Sequence, residues 1–149
     1  MAASKAEPLR IFVDADALLA GSASATGASH LILQLGELGL IRAVACQQVR
    51  REVARNLETK LPAALPAFGL LADAAIQWVD DPAPEELRPW LGLADPKDLP
   101  ILVAAIRQRC AYLVTVNTRH YRPEAQAIRV EKPGDFLLHL REHLARLAE

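Results

Sequence analysis

The stretch Ile11-Phe12-Val13-Asp14-Ala15-Asp16 decides how this chain is read. Three apolar residues, preceded by Arg10 and closed by a carboxylate, have the form of a short strand buried on both faces. Tyr112-Leu113-Val114-Thr115-Val116-Asn117 repeats the theme with β-branched and aromatic residues, and it closes on an amide. Further short strands are expected at 41–46, 76–79 and 127–130. Helical spacing separates them. Leu31, Leu35 and Leu38 run to a stop at Gly39, and Val49, Val53 and Leu57 precede Pro62. Residues 65–75 form another helix candidate, Leu99, Leu102, Val103 and Ile106 make a clear stripe, and 135–147 carries Phe136, Leu137, Leu140, Leu144 and Leu147. Residues 14–28 are small and polar, either a loop or a short helix followed by one. Residues 82–96 hold four prolines and read as a loop with one turn near Glu85–Leu87. Strands alternating with helices predict an α/β fold, a central parallel sheet covered by helices on both faces. Ligands of such sheets gather at the carboxyl ends of the strands, where Asp14 and Asn117 would both lie.

The 149 residues fit one domain spanning 1–149, with 1–8 expected to be flexible. With 52% hydrophobic and 23% charged residues, the chain needs no disulfide to form a core. Its formal charge of -1 provides no global field for nucleic acid, so any such affinity must come from local patches. Two stretches qualify: Arg50, Arg51, Arg55 and Lys60, then Arg119, His120 and Arg122. Arginines on helices are equally read as solvated surface. Cys46 and Cys110 lie in apolar runs without CxxC spacing and read as reduced core residues. There is no signal-peptide core and no run of about 18 apolar residues, so the expectation is a cytoplasmic protein with no membrane segment.

Each residue that could carry chemistry also has a structural alternative. Asp14, with Asp16 beside it, is a metal-binding carboxylate or the N-cap of a following helix. Asp95 and Asp98 flank Pro96-Lys97, which matches helix-start chemistry; either could cap while the other serves as ligand. Glu52, three residues before Arg55, has the surroundings of a solvated surface charge. Thr115 and Asn117 end a strand, and Asn is common at turns. His120 has no sequence partner at ligand spacing and reads as a surface or phosphate contact. Together Asp14, Glu52, Asp98 and Asn117 look like oxygen ligands for a hard divalent cation. Nucleotide-cofactor, P-loop, zincin and serine-hydrolase motifs are absent.

The segments Ile11 to Asp16, Val49-Arg50-Arg51-Glu52-Val53, Asp95 to Ala105 and Tyr112 to Tyr121 occur in an order that resembles PIN-domain proteins, most closely prokaryotic toxin-type (VapC-like) members. The resemblance spans residues 9–140. It implies a three-layer α/β/α sandwich and a ribonuclease dependent on Mg²⁺ or Mn²⁺. Asp14, Glu52 and Asp98 match the acidic metal-site residues, Asn117 a further site position and Thr115 a neighbouring polar one, with Asp16 and Asp95 as supports. Lys97, Arg119 and Arg122 are expected to contact the RNA backbone. Toxin-type relatives imply a small antitoxin partner and a homodimer. Two departures stand out: Asp16 replaces the usual Asn or Ser, and Asn117 and His120 fall where relatives often carry a carboxylate. The competing expectations are a catalytically weak module of the same fold that binds RNA or protein, and a haloacid-dehalogenase-type phosphatase using Asp14, with Asp80-Asp81 as its acidic pair.

Overall fold

The computed structural model describes residues 7–23 and 27–148. Positions 1–6 of the segment expected to be flexible, and Ser24 to Thr26 of the polar stretch, lie outside the described residues. Glu7 and Pro8 lead directly into the first strand.

The elements follow in the order β1 (Leu9–Val13), α1 (Ala15–Ala23), α2 (Ala28–Glu37), β2 (Ile41–Cys46), α3 (Gln47–Lys60), α4 (Leu65–Ala75), β3 (Ile76–Val79), α5 (Leu99–Arg107), β4 (Tyr112–Val114), β5 (Arg129–Glu131) and α6 (Pro133–Leu147). The five strands form one sheet in the order β3-β2-β1-β4-β5, and every neighbouring pair is parallel. The stretch after β1, read as loop or short helix, is helix α1. The proline-rich stretch contains a seven-residue 3-10 segment, Pro84–Trp90. There Pro84 sits in the first turn, and the Glu86 carboxylate accepts from the Ala83 amide at 3.0 Å. The last strand lies two residues beyond its expected start, because Arg129 and Glu131 pair with Tyr112 and Val114.

The topology determines where a cleft must open. From β1 the chain steps outward through β2 to β3, then returns across the sheet through α5 to β4. Right-handed crossovers running in opposite directions place their helices on opposite faces. This gives the three-layer α/β/α sandwich expected from the sequence. The sense of travel reverses between β1 and β4, so the connections leaving their carboxyl ends diverge and leave a crevice. Ile11, Phe12, Val44, Leu113, Ile101 and Leu102 are fully buried and fill the centre on both faces. Cys46 and Cys110 are buried free thiols, each pushed up to about 12 by burial, which leaves them unreactive core groups at neutral pH. Among the described residues no helix is long and apolar enough to cross a membrane.

Candidate metal-binding cleft at the β1/β4 edge

Only four polar or charged residues are buried among those described, and three of them, Asp14, Thr115 and Asp98, lie at this edge. Each reaches it by a different route. Asp14 directly follows β1 and Thr115 directly follows β4; the parallel register pairs Val13 with Val114, so the two emerge side by side. Asp98 arrives on the turn before α5. That turn is tied down by an antiparallel bridge between Ala94 and Tyr121 and by the Asp95 amide donating to the His120 carbonyl at 2.8 Å.

Asp14 occupies the N-cap position of α1, and its Oδ1 accepts from the Ala15 amide at 2.7 Å. Its other oxygen, Oδ2, accepts from the Tyr121 hydroxyl at 2.6 Å and from Thr115 Oγ1 at 3.1 Å. The two carboxylate oxygens are therefore held separately, Oδ1 by the amide that opens α1 and Oδ2 by the side chains of Tyr121 and Thr115. Burial pushes the Asp14 carboxyl up to about 6, with Asp16 and Asp98 adding to the rise, while the bonds from Tyr121 and Ala15 oppose it. The Tyr121 hydroxyl is itself raised by burial and by Asp14, so it remains a protonated donor.

Asp98 resolves the question of which aspartate caps α5. It holds the N-cap position, but its side chain makes no capping bond. Its Oδ2 is buried and has no hydrogen-bond partner. His120 Nδ1 approaches that oxygen to 3.1 Å, an ion-pair distance outside hydrogen-bond geometry. The Asp98 carboxyl is raised, first by burial and further by Glu52 and Asp95, against the pull of Lys97 and His120. Asp95 turns the other way, towards Arg122 Nη2 at 3.1 Å. Asp95, Asp98 and His120 nevertheless offer three ligand atoms within 4.8 Å of one another, so the histidine read as a surface contact does have an acidic partner.

Glu52 projects from α3 and is half-buried. Gln48, one turn earlier, donates from Nε2 to Glu52 Oε1 at 3.0 Å and to the Lys97 carbonyl at 2.8 Å, joining α3 to the Asp98 turn. The Gln48 backbone N–H in turn donates to Asp81 Oδ1 at 2.8 Å. That contact, with the Arg51–Asp81 pair at 2.8 Å, occupies the acidic residue a phosphatase reading requires.

Asp14, Asp16, Glu52, Lys97, Asp98, Asn117 and His120 all line one cleft of about 580 Å³, together with Arg55, Asn56, Thr59 and Lys60. The four principal sequence candidates thus converge, and the donor set consists of oxygens with a histidine at its edge. A buried carboxylate oxygen that accepts no hydrogen bond is costly unless a cation or proton meets it. The residues present therefore fit a hard divalent ion. Arg119 and Arg122 do not line the cleft; Arg122 bonds Asp95 and the Arg119 carbonyl, at 3.1 and 2.9 Å. Arg50 and Arg51 are likewise engaged, by Asp73 with the Trp78 ring and by Asp81. Tyr121 and Gln48 were not singled out by sequence reasoning. Tyr121 has no local signal, since its partner lies 107 residues away, and Gln48 has only its i,i+4 spacing to Glu52, its other partner lying 49 residues away.

No curated protein matches the chain in sequence. Two solved structures are similar in fold. VapBC2 from Rickettsia felis, bound to a DNA fragment from their promoter, superposes with a TM-score of 0.62 at 15% identity, covering 83% of this chain and 98% of that one. VapC20 from Mycobacterium tuberculosis, a Sarcin-Ricin loop cleaving toxin, gives 0.50 at 18% identity over 69% and 86%. The family profile described as PIN domain matches residues 10–119, which run from β1 past the Asn117 turn and include every acidic residue of the cleft. With sequence profile, sheet order and cleft in agreement, the chain belongs to the PIN-domain family.

Proposed function

We propose that this protein is a divalent-metal-dependent endoribonuclease, the toxin component of a toxin–antitoxin pair. The observation that carries the reading is the convergence of Asp14, Glu52 and Asp98, from three separate segments, on one cleft where Asp98 Oδ2 is buried without a hydrogen-bond partner. These three carboxylates would hold Mg²⁺ or Mn²⁺. A bound ion supplies a water of lowered pKa and positive charge for the phosphate.

The chain's own groups do the rest. Tyr121 and Thr115 fix the orientation of Asp14, and Gln48 fixes that of Glu52. Arg55, Lys60 and Lys97 bring positive charge to the same cleft and would contact the RNA backbone, which positions without specifying sequence. On this reading Lys97 and the Arg55–Lys60 stretch contact the RNA inside the cleft, while Arg119 and Arg122, which lie outside its lining, would meet the backbone only beyond its rim.

An antitoxin partner and a homodimer belong to the same reading. Their support is the leucine-lined groove between α2 and α6, formed by Leu31, Leu35, Leu137, Leu138 and Leu144, three of which are exposed. Cytoplasmic location follows from the proposed RNA substrate.

The decisive experiment incubates the purified protein with single-stranded RNA and Mn²⁺. Cleavage is expected, and Asp14→Asn should abolish it. Cleavage that survives the substitution would remove Asp14 from the reaction. Failure to bind millimolar Mn²⁺ would favour a non-catalytic binding module on the same fold.

A further inference from the structure

The edge of the cleft between α1 and the turn after β4 has an arrangement that the three-carboxylate set does not use. Asp16, two residues after Asp14 in the first turn of α1, also lines the cleft, and its carboxylate is gripped by the end of β4. Asn117 Nδ2 donates to Asp16 Oδ2 at 2.7 Å, and the Val116 amide donates to Asp16 Oδ1 at 3.2 Å. Thr115 Oγ1 lies 3.2 and 3.3 Å from the two Asp16 oxygens and 3.1 Å from Asp14 Oδ2. A hydroxyl has one proton, so it serves only one of these carboxylates at a time. When it turns to Asp14, each Asp16 oxygen keeps one firm donor and free lone-pair capacity.

Two carboxylates that share one hydroxyl are close, and the repulsion shows in Asp16 raising the Asp14 carboxyl. Asp16 and Asn117 both line the cleft, as does Asp98, whose buried Oδ2 accepts no hydrogen bond. The short amide contact has a direction: the Asn117 NH₂ is spent on Asp16, so it is Asp16 that carries the negative charge of this corner.

We propose that Asp16 is the fourth anionic ligand of the cleft and that Asn117 acts through it, as the residue that positions the Asp16 carboxylate. This rests on the metal-site reading above. It changes the roles of the pair: the charge resides on α1, and the amide after β4 holds it.

The test measures Mn²⁺ affinity of the metal-free protein by titration calorimetry, alongside its melting temperature without metal, for the wild type and four variants. Asp14→Asn is the control for the underlying site. Asp16→Asn should weaken Mn²⁺ binding by about tenfold or more, since ligand charge sets affinity, and Asn117→Ala by less because the carboxylate stays. The exchange variant Asp16→Asn/Asn117→Asp keeps one carboxylate and one amide in the same contact and should bind within about threefold of wild type, recovering most of the Asp16→Asn loss.

Three results would overturn the inference. Weaker binding by Asn117→Ala than by Asp16→Asn would make the amide oxygen the ligand. A lower melting temperature for Asp16→Asn with unchanged Mn²⁺ affinity would make Asp16 a staple between α1 and the turn. An exchange variant as weak as the single Asp16→Asn change would equally count against it. If Asp14→Asn also leaves affinity unchanged, the metal site itself fails; if Asp14→Asn weakens binding and Asp16→Asn does not, only the role of Asp16 fails.

Discussion

The two walls of the cleft hold their carboxylates in opposite ways. On the sheet wall, Asp14 is buried, receives three hydrogen bonds and still has its carboxyl raised to about 6. On the α3 wall, Glu52 is half-buried and receives one bond, from a neighbour on its own helix. The sheet wall stores unfavourable charge in a fixed position; the helix wall presents charge that water still reaches. The contrast teaches that the fold itself resists the sheet-side anion, so a cation there relieves a strain that the apo protein carries.

The largest effect tests that resistance. The Asp14 carboxyl sits at about 6 in the folded protein against an ordinary 3.8. Below the ordinary value both states are protonated and stability is full. As pH rises from about 4 to above 6, the unfolded chain loses its proton first and folded stability falls. The shift corresponds to about 3 kcal/mol by pH 7, and the raised Asp98 carboxyl acts in the same direction. Urea denaturation of the metal-free protein across this range should show the decline. Asp14→Asn should flatten most of it, and saturating Mn²⁺ should reverse it, with affinity dropping below about pH 6 as the ligand protonates. A flat profile in the wild type would break the comparison.

Next in size is Tyr121→Phe. Losing a hydrogen bond to a charged group should lower stability at pH 7 by about 2 kcal/mol, with a smaller loss at pH 4, where Asp14 is neutral. Equal losses at both pH values would mean that packing, not the hydroxyl, is being measured. On the other wall, Gln48→Ala should cost about 1 kcal/mol of stability and about tenfold in cleavage rate, because Glu52 and the Lys97 carbonyl lose their common donor. The smallest stability effect belongs to Glu52→Gln: within about 0.5 kcal/mol in a melt, while cleavage falls sharply. A large destabilisation there would erase the distinction between the walls.

Much of this was legible in the sequence, for physical reasons. Central parallel strands read as largely apolar runs, interrupted here by Arg10 in β1 and Arg42 in β2, and both were found within two residues, as was the half-exposed edge strand β3. A carboxylate or amide closing such a run is placed at the sheet edge by topology alone, which located Asp14 and Asn117. Helical spacing located α3 and therefore Glu52, although its surroundings gave it no distinction. What remained hidden was pairing between distant segments. The Tyr121 hydroxyl, the Gln48 clamp and the Asp98–His120 contact depend on how the 94–98 and 118–121 turns dock, and no local pattern encodes that docking. The end of β4 was misplaced by two residues for a related reason: the Val116 amide leaves the ladder to bond Asp16, 100 positions earlier.

The β1–β4 seam has one more consequence, which concerns the order of folding. Asp14, Asp16 and Glu52 come from the first half of the chain, while Asp98, Thr115, Asn117 and Tyr121 come from the second. They meet only when β4 zips onto β1 across about a hundred residues of intervening chain, and such distant closure is slow and comes at the expense of much chain entropy. A nascent or nicked chain that lacks this seam would hold half a cleft and no activity. On the proposed function, cleavage would then be an all-or-none report on completed folding, and a protein split after β3 would regain metal binding only when its two halves reassociate.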